Sequence, residues 1–139
     1  MDPESPEIGE QPFYEVQVVE RLLVIERTSR RYESLSQVPG SFDALQTEID
    51  RAGPFDVAIL DLRQAHGRND SEFEAQLAPE RRKLLDRLPR VCFVVQTNIG
   101  RMQIVRYLQR DGVKASVFTS LEEAVTEAQR MQRETDIGY

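Results

Sequence analysis

Phe55-Asp56-Val57-Ala58-Ile59-Leu60-Asp61-Leu62 decides the fold. Apart from its acidic members it is apolar on both alternating sets, the pattern of a strand buried on two faces in a sheet with helices around it. Upstream, Ser41 can cap a helix on which Phe42, Leu45, Ile49 and Ala52 share one face, with Gly53-Pro54 as its stop. Downstream, the connection Arg63-Gln64-Ala65-His66-Gly67-Arg68-Asn69-Asp70 leads into helical sequence from Asp70 or Ser71. Pro79 predicts a break there, with one arm to about Leu77 and another from Pro79 to Leu88, because a mid-helix proline loses a backbone bond and costs ~3 kcal/mol. Leu84, Leu85 and Leu88 then face the core, and Pro89 ends the helix.

Farther out the same alternation of strand and helix continues. Val91 to Gln96 reads as a second buried strand, followed by Thr97-Asn98 and a helix from Gly100 to Asp111 striped by Ile104, Val105 and Leu108. Gly112 supplies the left-handed residue after it. A short strand, Ala115 to Phe118, precedes Ser120-Leu121-Glu122-Glu123, a capping box, and a last helix that buries Leu121, Ala124, Val125, Ala128 and Met131. Toward the N-terminus, Tyr14, Val16 and Val18 alternate with Glu15 and Gln17, and a second strand, Leu22 to Glu26, follows Glu20-Arg21 at the spacing of a tight hairpin. Thr28 to Val38 has no clean period and reads as a loop with a turn near Tyr32 to Leu35. The expectation is an α/β fold: a single layered domain with a mostly parallel five-stranded sheet, an antiparallel first strand, and the order ββαβαβαβα. The domain spans 13–133, between a disordered acidic tail at 1–12 and a frayed C-terminus at 134–139.

Composition narrows the function classes. The 139 residues carry 24 acidic and 18 basic side chains, a net charge of -6 that repels phosphate backbones and argues against nucleic-acid binding. The basic triplet Arg81-Arg82-Lys83 reads as a solvated helix face. No apolar run approaches the ~20 residues of a membrane span. The acidic, proline-containing start MDPESPEIGEQP is unlike a signal peptide, which points to the cytoplasm. Cys92, the only cysteine, lies in an apolar run, so no intrachain disulfide forms and the expected role is buried packing.

The run VAILDLR (57–63), the later VCFVVQT (91–97) and the closing VFTSLEEAV (117–125) resemble the SpoIIAA-like or STAS-type family over about Phe13 to Met131. That resemblance implies a repeated strand-and-helix superhelix, no cofactor, and regulation through protein contacts, at times through lipid or nucleotide binding. It places a phosphorylatable switch hydroxyl at Ser71, preceded by Asp70. The small, glycine-bearing stretch that follows the switch serine in the family is here Glu72-Phe73-Glu74, and the segment from Asp61 to Glu74 looks most like that of uncharacterised bacterial proteins with this fold.

The densest chemistry also falls between Asp61 and Glu74, past the carboxyl end of a central strand, where open α/β sheets gather ligands. Asp61, Arg63, His66, Arg68, Asn69, Asp70 and Ser71 can together hold a polar ligand or present a charged surface to a protein partner. Each also has a structural job open to it: Asn69 or Asp70 as a helix cap, Arg63 as the ion partner of Asp61. His66 is the only histidine, but a triad needs Ser71 or Cys92 as nucleophile. Ser71 lacks the strained turn of a nucleophile elbow and Cys92 is buried, so a hydrolase using His66 and Ser71 is the least favoured reading. One histidine and one cysteine give no metal-ligand spacing. The turn from Thr97 to Arg101 opens a helix and could take an anion, or be a plain cap. The expectation is a non-enzymatic regulatory or scaffolding module acting through protein binding. The alternative is a binding domain for a nucleotide, lipid or acidic metabolite. Two strands apolar on both faces also need cover on each side, from the N-terminal hairpin and loops or from a second copy in a two-fold homodimer.

Overall fold

The computed structural model describes residues 11–65 and 71–137. Alternation at the N-terminus produces two strands, β1 (Tyr14–Val19) and β2 (Leu22–Arg27), paired antiparallel from Val19↔Leu22 to Tyr14↔Arg27. Their two-residue turn places Glu20 and Arg21 at φ 50° and 65°, the left-handed pair that matches strand twist. The continuously apolar runs become β3 (Val57–Asp61) and β4 (Val91–Val94), buried at every position, followed by the short β5 (Ser116–Phe118). Sheet order is chain order, β1-β2-β3-β4-β5, and every pair after the first is parallel.

That order dictates the layers. Three right-handed crossovers stepping the same way across a sheet place their helices on one face. These are α1 (Gln37–Ala52), α2 (Ser71–Arg87) and α3 (Asn98–Arg110), and their Phe42, Leu45, Ile49, Leu84, Leu85 and Leu108 pack with Leu23, Ile25, Ala58, Leu60 and Phe93. The alternate set, Leu22, Val57, Ile59, Cys92 and Val94, forms a second core with Ala124 and Ala128 of α4 (Leu121–Ile137). Both alanines are fully buried, and their small size lets α4 lie close on β3 and β4. The second face, expected to need the hairpin or another chain, is therefore covered by the chain's own last helix over β3, β4 and β5. On β1, beyond α4, Glu15, Gln17 and Val19 remain exposed.

Three local expectations need correction. Helix α1 begins at Gln37, not after Ser41, because Pro39 falls in the first turn, where a missing N–H costs nothing. Ser41 lies inside the helix, donating to Val38 O at 2.7 Å and sharing a 2.6 Å hydrogen bond with the Tyr32 hydroxyl. Helix α2 runs unbroken through Pro79. Pro79 and Ala75, whose carbonyl loses its donor, both face water, which can solvate it, while buried Phe73 and Leu84 clamp the helix on either side. Helix α3 starts two residues earlier than Gly100, at Asn98. Its end is as expected: Gly112 at φ 70° closes a Schellman motif through Val113 N–H to Leu108 O at 2.8 Å and Gly112 N–H to Gln109 O at 3.2 Å.

Candidate functional site

Parallel strands end together, so the carboxyl ends of β2 to β5 and the starts of the four helices share one rim. Asp61, the last residue of β3, is only 4% exposed. Its Oδ1 accepts the Arg63 backbone N–H at 3.1 Å and the Arg63 Nε at 3.0 Å, while Oδ2 accepts Nη2 at 2.8 Å. This two-pronged pair locks the arginine two residues past the strand and leaves its side chain 40% exposed. The hydrogen bonds to Asp61, then the charges of Asp61 and Glu26, hold the guanidinium above its ordinary value against the opposing effect of burial. Gln64 ties the same turn to β2 by donating to Glu26 Oε2 at 3.2 Å, and Glu26 stands opposite Asp61 in register.

The other expected site residues divide into three groups. His66, Arg68, Asn69 and Asp70 lie outside the described residues. Ser71 is the first residue of α2 and is exposed. Thr97 and Arg101 lie on the same rim, one strand over, and both have structural work. Thr97 caps α3, its Oγ1 accepting Gly100 N–H at 3.0 Å, and a Cβ at position 100 would stand 3.3 Å from that oxygen. Arg101 Nε donates to Val117 O at 3.0 Å. Val117 is the middle residue of the edge strand β5, so the guanidinium occupies an outward carbonyl that would otherwise be open.

Two features escaped the sequence reading. Ile99 and Met102, in the first turns of α3, are 71% and 56% exposed, two of the three large apolar side chains exposed among the described residues. Their i, i+3 spacing, off the Ile104, Val105 and Leu108 stripe, was the available signal. The second is Arg27, at the end of β2 and 6% exposed. It donates to Thr28 O at 2.8 Å and Phe13 O at 3.3 Å, and its guanidinium lies 4.9 to 5.6 Å from the ring centres of Tyr32, Phe13 and Tyr14. Carbonyls and ring faces thus hold a buried cation and fasten the base of the hairpin to the helical layer. Burial drives the Tyr14 phenol far above its ordinary value.

Among the described residues, shallow grooves also lie away from the rim. One, about 360 Å³, runs along α3 beside Gln103, Arg106, Tyr107 and Arg110. Another, about 390 Å³, lies between β1 and α1. Among the described residues no group of three or more His, Cys, Asp and Glu side chains is placed to hold a metal ion, and no helix is long and apolar enough to cross a membrane. No family model, curated protein or solved structure matches the chain.

Proposed function

We propose that this chain is a non-enzymatic regulatory or scaffolding module that captures a protein partner at the rim where its parallel strands end. The observation that carries this reading is the pair Ile99 and Met102, held out in water beside the loop that follows β4. Exposed apolar side chains together with an anchored arginine are the ingredients of a protein-binding hot spot. Arg63 supplies the second ingredient, because the Asp61 clamp has already fixed its geometry and little rotamer freedom remains to be lost on binding. Sequential strand order, one strand and helix after another, is in keeping with the SpoIIAA-like or STAS-type resemblance, and the reading carries with it a cytoplasmic role without a cofactor. Residues 63–65 and 71–74, including the switch position Ser71, extend the same surface.

The test uses the full chain as bait. Ile99→Ala combined with Met102→Ala should cut recovery of a specific co-purifying protein at least tenfold while the melting temperature is unchanged, since neither side chain packs in the core. Arg63→Lys, which keeps the charge and loses the two-pronged geometry, should weaken the same capture. An unchanged capture profile in all these variants would place the binding surface elsewhere.

A further inference from the structure

The two edges of the sheet are treated differently. At β5 the strand is short and Arg101 takes the outward carbonyl of Val117. At β1 the strand is six residues long, holds no proline or lysine, and has Glu15 as its single charge. Thr28 N–H donates to Phe13 O at 2.9 Å, which makes Phe13 and Thr28 a hydrogen-bonded pair. By alternation, residues 15, 17 and 19 spend their backbone groups on β2, and the N–H and C=O groups of Tyr14, Val16 and Val18 point outward. Among the described residues no partner meets these six groups. Beside them lies the groove lined by Tyr14, Val16, Ala44, Leu45 and Glu48, and Val19, the third large exposed apolar residue, is 50% exposed.

We propose that β1 is the seam of a homodimer, pairing antiparallel with β1 of a second copy about a two-fold axis through Val16 and joining two sheets into one. The edge is complementary to itself in that register. Val16 meets Val16 and Tyr14 meets Val18, so all the outward backbone groups find partners, apolar side chains oppose apolar ones on the α1 side, and Glu15 faces Gln17 with no like charges opposed. Beside the seam α1 carries both signs, Glu48 at 51% and Arg51 at 73% side-chain exposure, joined in an ion pair at 3.4 Å within each copy, so neither copy brings a single-sign patch there. An edge this long and unguarded is a template for strand addition, and a closed two-fold pair satisfies it without leaving a new edge.

Sedimentation of the full chain over a concentration series should show a reversible monomer to dimer transition. Val16→Pro removes an outward N–H and leaves every bond to β2 in place, so it should shift the chain to monomer, with a modest fall in melting temperature because the Val16 side chain also packs against the core. A wild-type chain that stays monomeric at its highest soluble concentration, or a Val16→Pro variant that dimerises as well as wild type, would overturn the proposal. Should Val16→Pro fail to fold, two exposed-site variants decide the matter. Glu15→Cys and Gln17→Cys stand opposite each other across the seam, so oxidation should give a disulfide-linked dimer when the two are mixed and little with either alone. Equal cross-linking in all three samples would exclude the pairing. The native Cys92 is fully buried and does not interfere.

Discussion

The Asp61 and Arg63 pair is asymmetric in burial, and that asymmetry makes a prediction. The carboxylate is enclosed and the guanidinium is half in water. Deleting the arginine strands a buried charge, whereas deleting both charges does not. Arg63→Ala should therefore cost about 2 kcal/mol in urea unfolding at neutral pH, below the roughly 3–5 kcal/mol of a fully buried pair because Arg63 is partly exposed. The double variant Asp61→Asn, Arg63→Ala should recover more than half of that loss; a double variant less stable than Arg63→Ala would mean that the carboxylate is solvated after all. Cys92 makes a second prediction. Burial, with a smaller contribution from the charge of Glu127, pushes its thiol from 9.0 up to about 11. A folded-state value raised above the unfolded one gives stability that is complete below pH 9 and lost as the pH rises through 11. Native protein at pH 8 should accordingly resist thiol-modifying reagents, and denatured protein should react at once; rapid native labelling would show that α4 does not seal this face.

At the scale of elements, α2 shows how tertiary packing overrules a local signal. A proline in the ninth position predicts a break, yet the helix is held by Phe73 before it and Leu84 and Leu85 after it. Arg81 also reaches back across the proline to Glu74 at 2.8 Å. Since the lost bond is simply absent, Pro79→Ala should restore an N–H to the Ala75 carbonyl and raise stability by about 1–3 kcal/mol, read from the urea midpoint. A destabilised variant would mean that the proline is set where the helix needs a bend. The strands were readable because burial on both faces leaves a mark in the order of residues: Val57 to Leu60 and Val91 to Val94 have no polar alternate. The start of α1 was not, because Pro39-Gly40 reads as a stop when its distance from the helix start is unknown. Arg27 was hidden for a different reason. Its partners Phe13 and Tyr32 are far from it or irregular in sequence, and only the closed hairpin brings the rings around the charge.

At the scale of the molecule, the strand order follows from composition and periodicity, while the distribution of open surface follows from which helix covers which strand. Helix α4 lies over β3 to β5 and leaves its own face of β1 uncovered, while α1 packs on the other. The four helix starts converge on one rim and leave Ile99 and Met102 in water there. From the sequence, the rim was visible in Asp61 and Arg63, since a central strand must end somewhere and its last residues are polar. Its apolar half left only a weak mark, the i, i+3 spacing of Ile99 and Met102 off the Ile104, Val105 and Leu108 stripe, because with the helix read from Gly100 Ile99 fell outside it. The most direct check on this rim is hydrogen–deuterium exchange of the full chain with and without its captured partner. Binding at the rim predicts slowed exchange in residues 61–65, 71–74 and 97–102, with 14–19 and 103–110 unaffected. Protection confined to 14–19 or 103–110, with the rim exchanging as freely as before, would contradict it.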